Sequence, residues 1–223
     1  MTTPHNKRAG RLPKWAKKES DLGIATQWPE GWRAWHVHGL ELVVLSGCVT
    51  TRLFTEQPST DILAKLPMLD SDVRWLYRVA GGLLAGVGVE VLLKAAYLKA
   101  GYTIRDPAGQ HLAKRDSPEA RLLNPRKTAT FGSLLRDENL SLICADPKSY
   151  KPLTVAKWLR DDTAHSASTV FVHAHVHLVQ FCLALKALHT NLMDGADDAH
   201  VLDIQRAIAQ TDSIRVLRSD PRS

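Results

Sequence analysis

The stretch GLLAGVGVEVLLKAAYLKAG, residues 82–101, decides how the rest of this chain is organised. It belongs to a run that predicts a helix over residues 73–99, preceded by capping residues at 70–72 and ended by Gly101. Four glycines lie inside this predicted helix: Gly81, Gly82, Gly86 and Gly88. Each costs about 1 kcal/mol of helix stability relative to alanine, which is tolerable where a second helix approaches closely. The stretch therefore predicts either the packed centre of a bundle or a dimer seam.

Two charged residues, Glu90 and Lys94, interrupt the apolar part of this helix. Their spacing of four residues, with the acid first, favours an ion pair on a helix surface. The residues around them are mostly apolar, so at least one of the two is expected to be partly buried and to need a partner. The alternatives are a surface pair between Glu90 and Lys94 alone, or burial with a further partner.

A second polar feature lies in VAKWLRDDTAHSA, residues 155–167, which ends an amphipathic helix predicted over residues 153–164. Arg160 and His165 are five residues apart, which on an ideal helix is a turn of about 140° and a rise of about 7.5 Å. The two side chains can converge only through the long arginine stem or a helix end near Thr163. Arginine grips phosphate with paired hydrogen bonds, and histidine transfers protons near neutral pH. The pair can therefore hold and cleave a phosphodiester without a metal; the alternative is a solvated helix end.

The segment Arg160-Asp-Asp-Thr-Ala-His165 resembles the motif of the HEPN superfamily, in which four to six residues separate an arginine from a histidine. The helix that contains Glu90 and Lys94 resembles the Glu-x-x-Leu-Lys helix that lies upstream in many members. The resemblance covers about half the chain, residues 73–188, and implies that Glu90 faces the helix of Arg160 and His165. It also implies that Asp161 orients Arg160, although many members carry asparagine directly after the arginine.

The resemblance implies a metal-independent endoribonuclease in which Arg160 grips the scissile phosphate and His165 transfers the proton, with no cofactor. It also implies a homodimer with a shared cleft, a role as toxin or phage-defence effector, and a possible antitoxin protein as partner. The alternative is a non-catalytic HEPN-like module that binds RNA, a nucleotide or a protein. A third interpretation is a helical adaptor in which the Arg160 and His165 pair is accidental.

The composition of the chain is that of a globular protein with a polyanionic partner. The 223 residues include 44% hydrophobic and 23% charged residues, with a net charge of +6, and the isoelectric point is about 9.3. This excess of positive charge favours RNA as the partner. The uncharged apolar stretches at residues 42–51 and 79–89 are shorter than the roughly 18 residues of a spanning helix, and no signal core follows the basic N-terminus. We therefore expect a cytoplasmic protein that does not enter a membrane.

The sequence predicts an all-α fold, a HEPN-like bundle of about five main helices. Its predicted parts are a basic, loosely ordered lead over residues 1–27, a helical domain over residues 28–217 and a tail over residues 218–223. Helices are predicted at residues 29–54, 62–66, 73–99, 130–140, 153–164, 170–189 and 201–217. A long polar connection over residues 102–127 is either a solvated loop or an RNA contact.

The remaining histidines and the cysteines do not suggest a metal site. His173, His175 and His177 alternate, and on a helix only the first and third share a face, without the acidic residue that a metal hydrolase needs between them. His36 and His38 are two residues apart and point to different faces of a helix, so each is expected to be a partly buried or surface histidine. The three cysteines are far apart and are predicted to be small core residues in a reducing compartment.

Overall fold

The computed structural model describes residues 31–55, 70–107, 111–124, 127–143, 150–165 and 174–219. These residues form eight helices and no strand, which confirms the predicted all-α fold. The helices are α1 (Trp32–Thr55), α2 (Asp70–Lys99), α3 (Pro118–Leu122), α4 (Phe131–Arg136), α5 (Leu140–Ile143), α6 (Tyr150–His165), α7 (Ala174–Met193) and α8 (Asp198–Ser219). Five of them have 16 residues or more, in agreement with the five main helices that the sequence predicts. The lead at residues 1–27, the predicted helix at 62–66 and the last residues of the tail lie outside the described ranges.

Helix α2 is the centre of the bundle, because it packs against α1, α4, α6 and α7. Every residue at positions 88–98 is buried, so this part of α2 has no solvent face. The helix begins at Asp70, and residues 70–72 therefore form its first turn instead of the cap that the sequence predicts. It ends as predicted at Gly101, whose φ of 83° is a conformation that glycine adopts without strain.

Two of the α2 glycines mark places where a second helix comes very close. A Cβ added to Gly88 would lie 2.7 Å from Val43 Cγ2 on α1. A Cβ added to Gly86 would lie 2.5 Å from Arg160 Cβ and 3.1 Å from the carbonyl oxygen of Ala156, both on α6. These glycines therefore allow α1 and α6 to pack closely against α2 at the centre of the bundle, which is the first of the two explanations that the sequence predicts.

The predicted polar connection at residues 102–127 is packed against the core. Its buried residues include Tyr102, Ile104 and Leu112, while the charged side chains of Lys114 and Arg115 are exposed. The segment is held by hydrogen bonds, since Tyr102 Oη donates to Asn139 Oδ1 at 2.9 Å and the amide of Leu112 donates to Asp137 Oδ2 at 2.6 Å. The described part of this segment is therefore partly packed and partly exposed, because its apolar residues reach the core while most of its charged residues face solvent.

Two further sequence expectations are corrected. Cys182 on α7 is exposed and is not a core residue.

Within the described residues one segment, Ala80–Lys99, is long and apolar enough to cross a membrane, with a mean hydropathy of 1.5. It is longer than the uncharged stretches because isolated charges interrupt it without removing its apolar character. Since 78% of this segment is buried by other parts of the chain, it has the environment of a bundle's core helix.

We expect Gly86→Ala to destabilise the protein and Gly47→Ala to stabilise it slightly. An alanine at Gly86 gains about 1 kcal/mol in helix propensity, but its methyl group would overlap the α6 backbone, which costs typically 1–3 kcal/mol. Gly47 lies in α1 with no atom within 4 Å of an added Cβ, so only the gain in propensity remains. Urea unfolding followed by circular dichroism measures both changes. Equal shifts of the two variants in the same direction would contradict the close approach of α2 and α6.

Candidate functional site

Glu90 and Arg160, 70 residues apart in sequence, meet at the contact between α2 and α6. The Glu90 carboxylate is buried, and each of its oxygens has a cation: Lys94 Nζ lies 2.9 Å from Oε1, and Arg160 Nη1 donates to Oε2. Glu90 therefore follows the second alternative, burial with a further partner, and its pair with Lys94 is part of this buried arrangement. The ion pair also places Glu90 against the helix of Arg160 and His165, as the resemblance implies.

Asp161 binds the same guanidinium from the opposite side. Arg160 donates from Nε to Asp161 Oδ1 at 2.9 Å, and Nη2 lies 2.8 Å from the same oxygen. The second carboxylate oxygen of Asp161 accepts a hydrogen bond from Lys157 Nζ. Partial burial opposes ionisation, but the hydrogen bonds and positive charges of Lys157 and Arg160 together lower the pKa of Asp161. Asp161 is therefore a carboxylate at neutral pH, and it bridges two cations of α6.

Arg160 and Lys94 pack against aromatic rings of neighbouring helices. Arg160 Cζ lies 5.7 Å from the centre of the buried Phe131 ring, and Lys94 Nζ lies 5.8 Å from the centre of the Trp35 ring. Lys94 Nζ also donates to Thr128 Oγ1 at 3.1 Å. An aromatic face attracts a cation through its quadrupole, which helps to fix the direction of both side chains.

The side chain of Arg160 is partly accessible to solvent, whereas the side chain of Glu90 is buried. The side chain of Glu90 retains 11% of its exposed surface, whereas the side chains of Arg160 and Asp161 retain 24% and 30%. The side chain of Arg160 is therefore partly accessible to a ligand, whereas the Glu90 carboxylate that anchors it is not. The arrangement can bind an anion on a guanidinium that is already oriented, and this lowers the entropy lost on binding.

His165 is the last residue of α6, so the helix continues past Thr163 instead of ending there. The side chain of His165 lies outside the described part of the structure, as does that of Asp162. Of the three alternating histidines, His173 lies outside the described residues, and only the backbone of His175 and His177 is described, in the first turn of α7. Arg160, Asp161 and Glu90 are thus brought together, and His165 lies on the same helix as the first two.

Three histidines form a buried cluster that the sequence analysis missed. His36 on α1 contacts His200 on α8 through Nδ1 to Nε2 at 2.9 Å, and His189 on α7 through Nε2 to Nδ1 at 3.1 Å. His36 and His200 are almost completely buried, and His200 Nδ1 has no hydrogen-bond partner among the described residues. His36 follows Trp32 by four residues on the apolar stripe of α1, which indicates burial, but its partners are 153 and 164 residues away in sequence.

The histidine cluster is neutral at physiological pH and is not arranged around a metal ion. Burial is the largest cause that lowers the pKa of His36, and electrostatic repulsion from His189, His200 and Lys99 lowers it further, to about 3. Burial also lowers the pKa of His189 and of His200. The two ring nitrogens of His36 face different partners, and no group of three or more His, Cys, Asp or Glu side chains in the described ranges could hold a metal. We interpret the cluster as a hydrogen-bonded contact between α1, α7 and α8.

We expect the free energy of unfolding to fall as the pH is lowered from about 6.5 towards 3. The pKa of His36 is about 3 in the folded protein and 6.5 in the unfolded chain, so the unfolded chain binds the proton first below pH 6.5. One such histidine removes about 1.4 kcal/mol per pH unit over this window and nothing above it. Urea unfolding at pH 7 and pH 5 measures the loss, and His36→Gln should reduce it. His38→Gln changes an exposed histidine and should leave the loss intact; an unchanged loss in His36→Gln would contradict the assignment.

Comparison of the chain with protein-family models, with curated proteins and with solved structures finds no match. The functional interpretation therefore depends on the geometry of this site and on the resemblance of its motifs.

Proposed function

We propose that this protein is a metal-independent endoribonuclease of the HEPN type. The observation that carries the proposal is the contact between Glu90 and Arg160, which joins the two sequence elements that resemble the family across 70 intervening residues. A buried carboxylate that orients an accessible arginine is an arrangement suited to binding phosphate. His165, five residues further along the same helix, supplies a group that transfers protons near neutral pH.

In the proposed reaction the 2′-oxygen of the RNA attacks the neighbouring phosphorus, and the bond to the 5′-oxygen breaks. A base removes the proton of the 2′-hydroxyl, and an acid delivers a proton to the leaving 5′-oxygen. Arg160 stabilises the negative charge that develops on the phosphate oxygens, and His165 transfers the proton. The products are a 2′,3′-cyclic phosphate and a 5′-hydroxyl end, and no metal takes part in these steps.

The proposed active form is a homodimer. One chain has one Arg160 and one His165, whereas the reaction needs both a base and an acid. A two-fold axis brings identical surfaces together, so two copies supply two of each group in one shared cleft. The resemblance extends the proposal to a role as a toxin or phage-defence effector in the cytoplasm, with an antitoxin protein as a further partner.

A second candidate function, RNA binding without cleavage, is favoured by one specific contact. Asp161 occupies the Nε and Nη2 edge of Arg160, which is an edge that can bind a phosphate with two parallel hydrogen bonds. It also pairs with Lys157. A phosphate must therefore displace Asp161 or approach the guanidinium from another edge, and a module that only binds RNA needs less accurate placement than an enzyme.

We expect His165→Ala to lower the rate of RNA cleavage by roughly 100-fold or more, because a general acid or base contributes typically 10²–10⁴-fold. Arg160→Lys should also lower the rate, since lysine keeps the charge but loses the paired hydrogen bonds of the guanidinium. The measurement is cleavage of a labelled RNA by the purified protein with EDTA present, with identification of the cyclic phosphate end.

Two controls make this experiment specific. His38→Ala removes an exposed histidine of α1 and should leave the cleavage rate unchanged. Circular dichroism and the mass in solution should be the same for all variants. Cleavage that requires a divalent metal, or that survives in His165→Ala, would contradict the proposed enzyme. Retention of RNA without cleavage by the wild-type protein would favour the binding module.

We expect Asp161→Asn to increase the affinity for RNA by up to about fivefold. The substitution removes a negative charge that competes with phosphate for Arg160 and Lys157, and a partly exposed ion pair contributes about 0.2–1 kcal/mol. Fluorescence anisotropy with a labelled RNA measures the affinity. Asp203→Asn makes the same change of net charge on α8, where Asp203 pairs with Arg206. An equal increase in both variants would show that only the net charge of the protein matters.

A further inference from the structure

A further cation, Arg136 at the end of α4, lies beside Lys157 of α6. Helices α4 and α6 meet at Gly132, whose lack of a side chain leaves room for Arg136 and Lys157. A Cβ added to Gly132 would lie 3.2 Å from Lys157 Cε and 3.6 Å from Arg136 Nη1. The side chains of Arg136 and Lys157 therefore approach each other over the backbone of Gly132, next to the exposed hydroxyl groups of Thr130 and Ser133.

The positive charges in this region exceed the negative ones. Among the described side chains that contact one another here, the four cations are Lys94, Arg136, Lys157 and Arg160, and the two carboxylates are Glu90 and Asp161. Glu90 is shared by Lys94 and Arg160, and Asp161 is shared by Arg160 and Lys157. Arg136 is exposed and has no ion pair among the described residues. A bound anion beside Lys157 would offset the charge of Arg136.

The cations of α4 and α6 form a row in the sense that each is linked to the next through a shared neighbour. Arg160 and Lys157 lie on the two oxygens of Asp161, and Lys157 and Arg136 meet over Gly132. A row of cations fits a ligand that carries phosphates at regular intervals, which is the backbone of a nucleic acid strand. The hydroxyl groups of Thr130 and Ser133 add hydrogen-bond partners for phosphate or for a ribose 2′-hydroxyl.

We propose that Arg136 and Lys157 form a second phosphate subsite over Gly132, which binds the backbone phosphate that neighbours the one at Arg160 in single-stranded RNA. This inference depends on the proposed function for the identity of the ligand. It adds a positioning role for α4, because an RNA strand held at two phosphates has a fixed direction across Arg160. Phosphate contacts of this kind set the register of the strand and carry no base sequence information.

The experiment measures binding of a fluorescein-labelled single-stranded RNA by anisotropy, with EDTA present, between about 50 and 200 mM salt. All proteins carry His165→Ala, so that the RNA stays intact. Arg136→Gln should weaken binding roughly tenfold, since it removes a charged hydrogen bond. It should also reduce the slope of log affinity against log salt by about 0.7, the value for one phosphate contact on a single strand. Arg136→Lys keeps the charge and should keep the slope.

The matched control is Arg206→Gln, which removes the same charge on α8, where Arg206 is exposed beside Asp203. Its salt slope should equal that of the His165→Ala protein. Equal loss of affinity and slope in Arg136→Gln and Arg206→Gln would overturn the subsite while leaving RNA binding at Arg160 intact. If neither the wild-type protein nor the His165→Ala protein binds RNA, the proposed function and the subsite both fail. Circular dichroism confirms that the exposed substitutions leave the fold unchanged.

Discussion

The buried carboxylate of Glu90 is the constraint on which the arrangement of this protein depends. A carboxylate inside a bundle needs cations and hydrogen bonds to offset the loss of water, and removal of one partner from a buried pair costs about 3–5 kcal/mol. Glu90 obtains its partners from its own helix, through Lys94, and from α6, through Arg160. The second contact is possible only because Gly86 lets the α6 backbone approach α2. The same glycine therefore permits the packing and places the candidate site.

Two buried polar clusters in the described part of the chain are stabilised by different physical means. The cluster around Glu90 is a network of ion pairs between α2 and α6, and it is partly exposed at Arg160 and Asp161. The cluster around His36 is neutral at physiological pH, because burial lowers the pKa of all three histidines, that of His36 to about 3. The first cluster can bind an anion, since it has cations at the surface. The second joins three helices through hydrogen bonds, and its stability depends on pH in the acidic range.

The helices were predictable from the chain because their signals are local. Periodic apolar residues and Gly101 predicted α2 over residues 73–99, within three residues of its observed start. The errors occurred where an environment depends on distant residues. Cys182 has apolar neighbours in sequence but lies on the exposed side of α7. The segment after Gly101 is rich in charges, yet Tyr102, Ile104 and Leu112 are buried, because short irregular segments can reach a core without any periodic pattern.

The sequence by itself determined the all-α class, the close approach of another helix to the glycine-containing helix, and the need of Glu90 or Lys94 for a partner. These properties follow from periodicity, glycine content and the cost of burying a charge, all of which act within one helix. Only the tertiary structure decided that Arg160 is this partner, that His36 joins His189 and His200, and that Arg136 lies beside Lys157. Those contacts join residues far apart in the chain, and their geometry is set by how closely the helices pack, which no local pattern of residues specifies.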